Sequence, residues 1–185
     1  MNAMDTQTIA AAGLPALGWA LHSGLLLRRL ATARRDPLTG LHTRAGWTTR
    51  AEHLMARNAN ALVLLVDLDD FKAINDTHGH AAGDAVLTST ADRLTTWCGR
   101  HGIAARLGGD EFAAIVTDPA HTIGLFALRA ALDEPVTYNG HPLRVSASVG
   151  HCHRDHLPLP LLTDALSTAD SSMYAAKGHS RRNTR

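Results

Sequence analysis

The sequence Arg106-Leu107-Gly108-Gly109-Asp110-Glu111-Phe112 decides the fold, because two glycines run directly into two carboxylates between apolar segments. The apolar residues on either side, 103–107 and 112–116, predict two β-strands, so the glycine pair is expected to be the turn of a β-hairpin. Glycine has no Cβ, which lets a turn approach a ligand closely. Adjacent carboxylates repel each other unless a cation lies between them, and hard oxygen ligands favour Mg²⁺, which usually also holds substrate phosphates. The hairpin is therefore predicted to bind a nucleoside triphosphate, although such a turn, taken alone, is more often a solvated hairpin than a catalytic site.

A second acidic cluster lies upstream of the hairpin. Residues 61–66 form a continuous apolar run that predicts a buried central strand, and Asp67 and Asp69 follow at its end. A carboxylate at that position can reach a metal held by the neighbouring hairpin. The alternative is that both aspartates are ordinary strand-end or helix N-cap residues.

A polar turn at residues 75–84 is predicted to open a new helix, and it carries the groups that would recognise a guanine edge, Asn75 and Asp84. A carboxylate can accept hydrogen bonds from the N1–H and the exocyclic amine of guanine together, and adenine offers no such pair of donors. Buried polar recognition discriminates strongly, since a wrong base leaves polar groups unpaired. This turn therefore favours a guanine nucleotide.

Several motifs occur in a fixed order along the chain. They cover residues 36–41, 67–72, 75–84, 108–112, 148–150 and 174–177. In this order they resemble the GGDEF-domain diguanylate cyclases, which join two GTP molecules into cyclic di-GMP. The resemblance covers roughly residues 35–183 and implies an α/β (α+β) fold, the ferredoxin-like palm of nucleotide cyclases. In that palm a central, mainly antiparallel sheet is flanked by helices and carries a β-hairpin at the active site.

The resemblance also implies a metal site and a catalytic set. Asp67, Glu111 and the backbone carbonyl of Leu68 would bind Mg²⁺, with Mn²⁺ as a second candidate. Asp110 would share the second metal and help the 3′-hydroxyl lose its proton, and Lys72 would neutralise charge in the transition state. Two metals in such a site can stabilise the attacking and leaving oxygens together.

The same resemblance implies a substrate-binding set. Its members are Phe71, Asn75, His80, Asp84, Gly108, Gly109, Lys177 and Arg181. Asn75, His80 and Asp84 would hold guanine and ribose, the glycines would let the hairpin lie against the nucleotide, and Lys177 and Arg181 would contact the terminal phosphates. Ser180 stands where the family pattern has a glycine before Arg181. One site holds one GTP, so a homodimer is required for catalysis.

One regulatory motif of the family does not occur in this chain. Many members carry an Arg-x-x-Asp product-inhibition motif upstream of the hairpin, and its two positions are Gly99 and Gly102 here. We therefore predict no feedback inhibition through that site.

Composition agrees with an ordinary enzyme domain. The chain has 185 residues and a net charge of +1, which gives no signal for a nucleic-acid partner. Cys98 and Cys152 lack a paired spacing, so both are expected to be buried thiols in a reducing compartment. Residues 151–153 together with His156 allow two interpretations, a soft-metal site or a surface turn in a histidine-rich sequence.

Periodicity predicts the remaining elements. Helices are expected over 45–58, 81–98, 119–132 and 161–177, and further strands over 61–67 and 143–150. Strands interleaved with helices favour a single sheet domain over residues 36–185.

The first 35 residues are an apolar segment followed by a basic one. Residues 6–27 carry no formal charge, and as a helix they could span a bilayer core of about 30 Å. Arg28, Arg29, Arg34 and Arg35 would then place the catalytic domain in the cytoplasm. The alternative is a soluble helix that packs on a partner. A stripe of small residues at 12, 16, 20 and 24 would pair two membrane helices, or reflects ordinary alanine richness.

Two other functions remain open. One is a non-catalytic GTP- or effector-binding module that acts through protein contacts, against which Asp67, Lys72, Asp110 and Glu111 all argue. The other is a cyclase with a mixed GMP–AMP product, against which Asp84 argues.

Overall fold

The computed structural model describes residues 34–118, 120 and 124–183. The strands of this part are β1 His42–Thr43, β2 Leu62–Leu68, β3 Gly102–Gly108, β4 Glu111–Val116, β5 Val136–Tyr138, β6 His141–Leu143 and β7 Ala147–His153. The helices are α1 Arg44–Arg57, α2 Phe71–His78, α3 His80–Cys98, α4 Leu125–Leu132 and α5 Leu162–Asn183. Short 3₁₀ turns cover Gly99–His101 and Arg154–His156.

The central sheet has the strand order β1-β3-β4-β2-β7. The short β1 is parallel to β3, and the other neighbours are antiparallel. The expected mainly antiparallel sheet flanked by helices is therefore confirmed. The apolar run ending at Val66 lies in β2, between β4 and β7, as predicted for a buried central strand.

Helices cover both faces of this sheet, and alternation along the strands sorts the side chains between two cores. Phe112, Ala114 and Val116 of β4 pack in a core that includes residues of α3 and α4. Ala113 and Ile115 pack in a second core that includes residues of α1 and α5. Because successive side chains point to opposite faces, Asp67 and Glu111 share the α1 and α5 face with this second core.

Most predicted elements are confirmed with small shifts at their ends. The helices predicted over 45–58, 81–98 and 161–177 occur as α1, α3 and α5, and α5 continues to Asn183. The helix predicted over 119–132 is confirmed for Leu125–Leu132, and most of its first residues lie outside the described part of the chain. Cys98 and Cys152 are buried, as expected.

One strand prediction was partly wrong, and the short strand β1, the helix α2 and the β5–β6 hairpin were missed. The strand expected over 143–150 is interrupted, because the carbonyl of Ser146 accepts a hydrogen bond from the Asp69 N–H at 2.9 Å and the pairing with β2 begins at Ala147. The helix α2 was missed because it is short and covers part of what was interpreted as a polar turn. The β5–β6 hairpin was also missed, although Asn139-Gly140, both at positive φ, is a typical signal for such a turn.

The uncharged segment 6–27 lies outside the described residues. Within the described part, none of the helices combines the length and apolar character needed to cross a membrane.

Candidate active site

The glycine turn is held in place by an arginine of its own strand. Gly109 has a φ of +53°, a left-handed conformation that favours glycine. The Nε and Nη2 of Arg106 donate to the Gly109 carbonyl at 2.9 and 2.8 Å. The Nη1 of Arg106 lies 3.3 Å from Asp36 Oδ1. The predicted hairpin is thus confirmed, and its turn is tied to the segment that precedes β1.

Asp67 and Glu111 face each other across the β2–β4 pair. Each is close to a cation from a helix: Lys177 Nζ lies 2.6 Å from Asp67 Oδ1, and Arg44 Nη2 lies 3.7 Å from Glu111 Oε2. These two pairs offset the repulsion expected between neighbouring carboxylates. A cavity of about 150 Å³ adjoins them, lined in part by Asp67, Glu111, Arg44, Asp170 and Met173.

Helix α5 reaches this site because a glycine lets it lie close to the sheet. A Cβ added at Gly150 of β7 would clash with the Ala169 carbonyl and lie 2.6 Å from Met173 Cβ. The close approach brings the helix that carries Asp170 and Lys177 over the acidic end of β2. The side chain of Arg181 lies outside the described residues, so its phosphate role stays a prediction.

The other acidic residues have distinct surroundings. The carbonyl of Asp110 accepts a hydrogen bond from the Leu68 N–H at 3.3 Å, which joins the hairpin to the end of β2. Asp69 accepts hydrogen bonds from Ser148 Oγ at 2.7 Å and Ser146 Oγ at 3.1 Å. Asp69 is therefore a strand-end residue that ties β2 to the start of β7, and sequence reasoning did not find its serine partners.

The expected nucleotide-binding residues lie on α2 and α3. Lys72 is exposed in the first turn of α2, and Asn75 lies one turn later, half-buried. A Cβ at Gly83 would clash with Asn75 Oδ1 and lie 3.1 Å from the Phe71 ring, so this glycine lets α2 and α3 pack closely.

His80 and Asp84 are both exposed on α3. Asp84 borders an open cavity of about 490 Å³ between α3 and β5. Asn75 Oδ1 lies against Gly83, the residue before Asp84, so the two expected guanine contacts lie near the same junction of α2 and α3. The roles of His80 and Asp84 stay predictions.

The donor set fits a magnesium ion that arrives with a nucleotide. In the described part of the chain, no group of three or more His, Cys, Asp or Glu side chains is arranged to hold a metal ion. Mg²⁺ commonly binds through one or two carboxylates plus substrate phosphates, however, and needs no cage made only of protein ligands. Asp67 and Glu111, which are opposite each other in register, offer such a partial set of hard oxygens, and the Leu68 carbonyl as a further ligand stays a prediction.

Within the described part of the chain, the histidines at the end of β7 do not belong to any group of three or more side chains that could hold a metal ion. The ring centroids of His151 and His153 are 5.9 Å apart, and those of His153 and His156 are 5.3 Å apart. Burial, together with the nearby charge of Arg129, lowers the pKa of His151 and favours its neutral form.

Sequence comparisons place these features among known proteins. The family model described as "Diguanylate cyclase, GGDEF domain" matches residues 33–183. The chain is 63% identical over 182 residues to the 19.3 kDa protein of the repSA 5′ region of Streptomyces ambofaciens, covering 98% of each. It is 40% identical to the diguanylate cyclase DgcN of Escherichia coli, covering 80% of this chain and 38% of that protein. The chain thus spans less than half of the length of DgcN.

A solved structure supports the same relationship. A sensory box/GGDEF family protein of Caulobacter crescentus is 34% identical and matches with a TM-score of 0.71, covering 80% of this chain and 99% of that chain. The coiled coil and GGDEF domain of DgcB from the same organism, in complex with c-di-GMP, shares the fold with a TM-score of 0.74 at 24% identity. That match covers 94% of this chain and 95% of the other.

Proposed function

Because the chain belongs to the GGDEF diguanylate cyclase family, we propose that it joins two GTP molecules into cyclic di-GMP. In each of two steps a 3′-hydroxyl attacks the α-phosphorus of the other GTP, a new P–O bond forms, and the bond to pyrophosphate breaks. The observation that carries this proposal is the pairing of Asp67 and Glu111 across β2 and β4, beside the Gly108–Gly109 turn. This pairing brings together one carboxylate from each of the two acidic motifs, which are far apart in the sequence.

Mg²⁺, or Mn²⁺ in its place, would be held by Asp67, Glu111 and the Leu68 carbonyl, and it would supply charge neutralisation at the phosphates. Asp110 accepts the proton of the 3′-hydroxyl, with Glu111 and Lys72 as the other catalytic residues. Lys177 and Arg181 hold the terminal phosphates.

Asn75, His80 and Asp84 hold guanine and ribose beside Phe71, and the two turn glycines leave room for the nucleotide. Each protomer binds one GTP, so the active form is a homodimer. Positioning and electrostatics carry most of such a phosphoryl-transfer reaction.

The proposed enzyme has no feedback inhibition through an Arg-x-x-Asp site. The surroundings of Gly102, which takes the place of the aspartate, support this. A Cβ there would lie 2.5 Å from Val116 Cγ1 and 2.6 Å from the Ile115 carbonyl oxygen. An aspartate at this position therefore has no room between β3 and β4.

The domain boundary and the location are also proposals. Residues 36–185 form the catalytic domain in the cytoplasm, and residues 6–27 attach it to the inner face of the cell membrane. The uncharged composition of that segment and the arginines that follow it support this arrangement.

The test uses the purified full chain with GTP and Mg²⁺, and it resolves the products by chromatography. We expect cyclic di-GMP from the wild type and none from Asp110→Ala. Bound GTP without any product would instead favour a non-catalytic module. In a parallel reaction with both GTP and ATP, a product that contains AMP would favour the mixed cyclase.

A further inference from the structure

The two carboxylates assigned to the metal have matching cationic partners on one face of the sheet. Lys177 of α5 pairs with Asp67, and Arg44 of α1 pairs with Glu111. Since Asp67 and Glu111 are opposite each other in register, the two cations lie on either side of the same site. Lys177 has an assigned role at the phosphates, whereas Arg44 has none.

Arg44 is fixed at its backbone, and its side chain is largely exposed. It is the first residue of α1, and the preceding Thr43 caps that helix by accepting a hydrogen bond from the Gly46 N–H at 3.3 Å. Its side chain is 61% exposed, and an exposed pair with a 3.7 Å separation contributes little stability. Arg44 can therefore leave Glu111 at little cost.

Arg44 lies between two cavities that both border the hairpin. Its side chain lines the cavity of about 150 Å³ beside Asp67 and Glu111. It also lines an open cavity of about 500 Å³ beside Gly108 and Gly109. Arg106, which borders the second cavity, is 17% exposed and already engaged by Asp36 and Gly109, so it is not available in the same way.

We propose that Arg44 is a further substrate-binding residue. It pairs with Glu111 before GTP binds, and it contacts the GTP phosphates once the nucleotide is bound. A divalent cation at Glu111 competes with Arg44 for the same carboxylate, which favours release of the arginine when the metal binds. A guanidinium forms strong, paired hydrogen bonds with phosphate oxygens, which gives the released side chain a better partner. The inference rests on the proposed function and adds to its phosphate-binding set.

The proposal predicts effects of opposite sign on two ligands. In Arg44→Ala the competing cation is removed, so binding of Mg²⁺ without nucleotide should tighten about two- to fivefold. The same variant loses a phosphate contact, so its KM for GTP should rise about tenfold. Arg44→Lys keeps the positive charge but cannot form the paired hydrogen bonds of a guanidinium. Its KM for GTP should lie between those of the wild type and Arg44→Ala.

The experiment measures Mg²⁺ binding to the full-length protein by calorimetry, GTP binding with Ca²⁺ as the cation, and the KM and kcat of product formation. Arg57→Ala is the matched control, because Arg57 is an exposed arginine in the last turn of the same helix. Arg57→Ala should match the wild type in all three measurements, and unfolding curves check that each variant is folded.

Two outcomes would overturn the inference. Weaker binding of both Mg²⁺ and GTP would mean that Arg44 only orients Glu111, and values equal to those of Arg57→Ala would mean that the pair is an ordinary surface contact. If the wild type makes no cyclic di-GMP, the proposed activity fails, but the two binding measurements still decide the role of Arg44.

Discussion

Arg106 connects Asp36, in the segment that precedes β1, to the glycine turn of the hairpin. One guanidinium binds the Asp36 carboxylate at 3.3 Å and the Gly109 carbonyl at 2.8 and 2.9 Å. Both side chains of the ion pair are less than one-fifth exposed. A displacement of the chain before β1 would therefore act directly on the turn that carries Asp110.

The first prediction concerns this arginine. Arg106→Ala should lower the free energy of unfolding by about 1–3 kcal/mol, because it leaves a partly buried carboxylate and a carbonyl without their partner. It should also lower kcat for cyclic di-GMP by at least tenfold, since the turn loses its anchor. Arg100→Ala, an exposed arginine on the preceding 3₁₀ turn, should change neither quantity. Equal activity of the two variants would show that the anchor has no role in catalysis.

The second prediction concerns the titration of Asp36. Burial alone would raise the pKa of this carboxyl, but hydrogen bonds from Thr39 and the charge of Arg106 outweigh it and hold the pKa below the ordinary 3.8. A carboxyl whose pKa is lowered by folding stabilises the protein fully above its unfolded pKa. That contribution is lost as the pH falls through the lower folded-state value.

Urea unfolding of the wild type and of Asp36→Asn, measured from pH 6 to pH 2, checks this. The stability difference between the two should be constant near pH 6 and should shrink as the pH falls below about 4. A difference that is independent of pH would mean that folding leaves the pKa of Asp36 unchanged.

The third prediction concerns the contact between Asp69 and Ser148. Ser148 is buried, and its hydroxyl donates to Asp69 at 2.7 Å, so the two side chains should be energetically coupled. Asp69→Ala and Ser148→Ala should each destabilise the fold, and the double variant should lose less than the sum of the two. A double-mutant cycle should give a coupling of about 1–2 kcal/mol. A strictly additive result would show that the hydrogen bond adds nothing to stability.

The sequence predicted the local elements of this fold better than it predicted contacts between residues far apart in the chain. The glycine turn and the apolar strands around it depend on neighbouring residues, and they were found. The pairing of Lys177 with Asp67 joins residues 110 positions apart, and only the packing of α5 on β7 brings them together. Arg44 and Ser148 were not predicted to contact Glu111 and Asp69, since no local sequence pattern identifies the distant partner of a side chain.

The fourth prediction tests the junction of α2 and α3, where the nucleotide-binding residues are expected. Gly83→Ala introduces a Cβ that would clash with Asn75 Oδ1 and crowd the Phe71 ring. Asn75 must then leave its position, so the KM for GTP should rise at least tenfold. At an exposed helical position without such a contact, the change from glycine to alanine would instead stabilise the protein. Ala81→Ser is the control, since it adds one atom at an exposed position of the same helix. A Gly83→Ala variant that is more stable than the wild type, with an unchanged KM, would show that Asn75 has no part in holding the substrate.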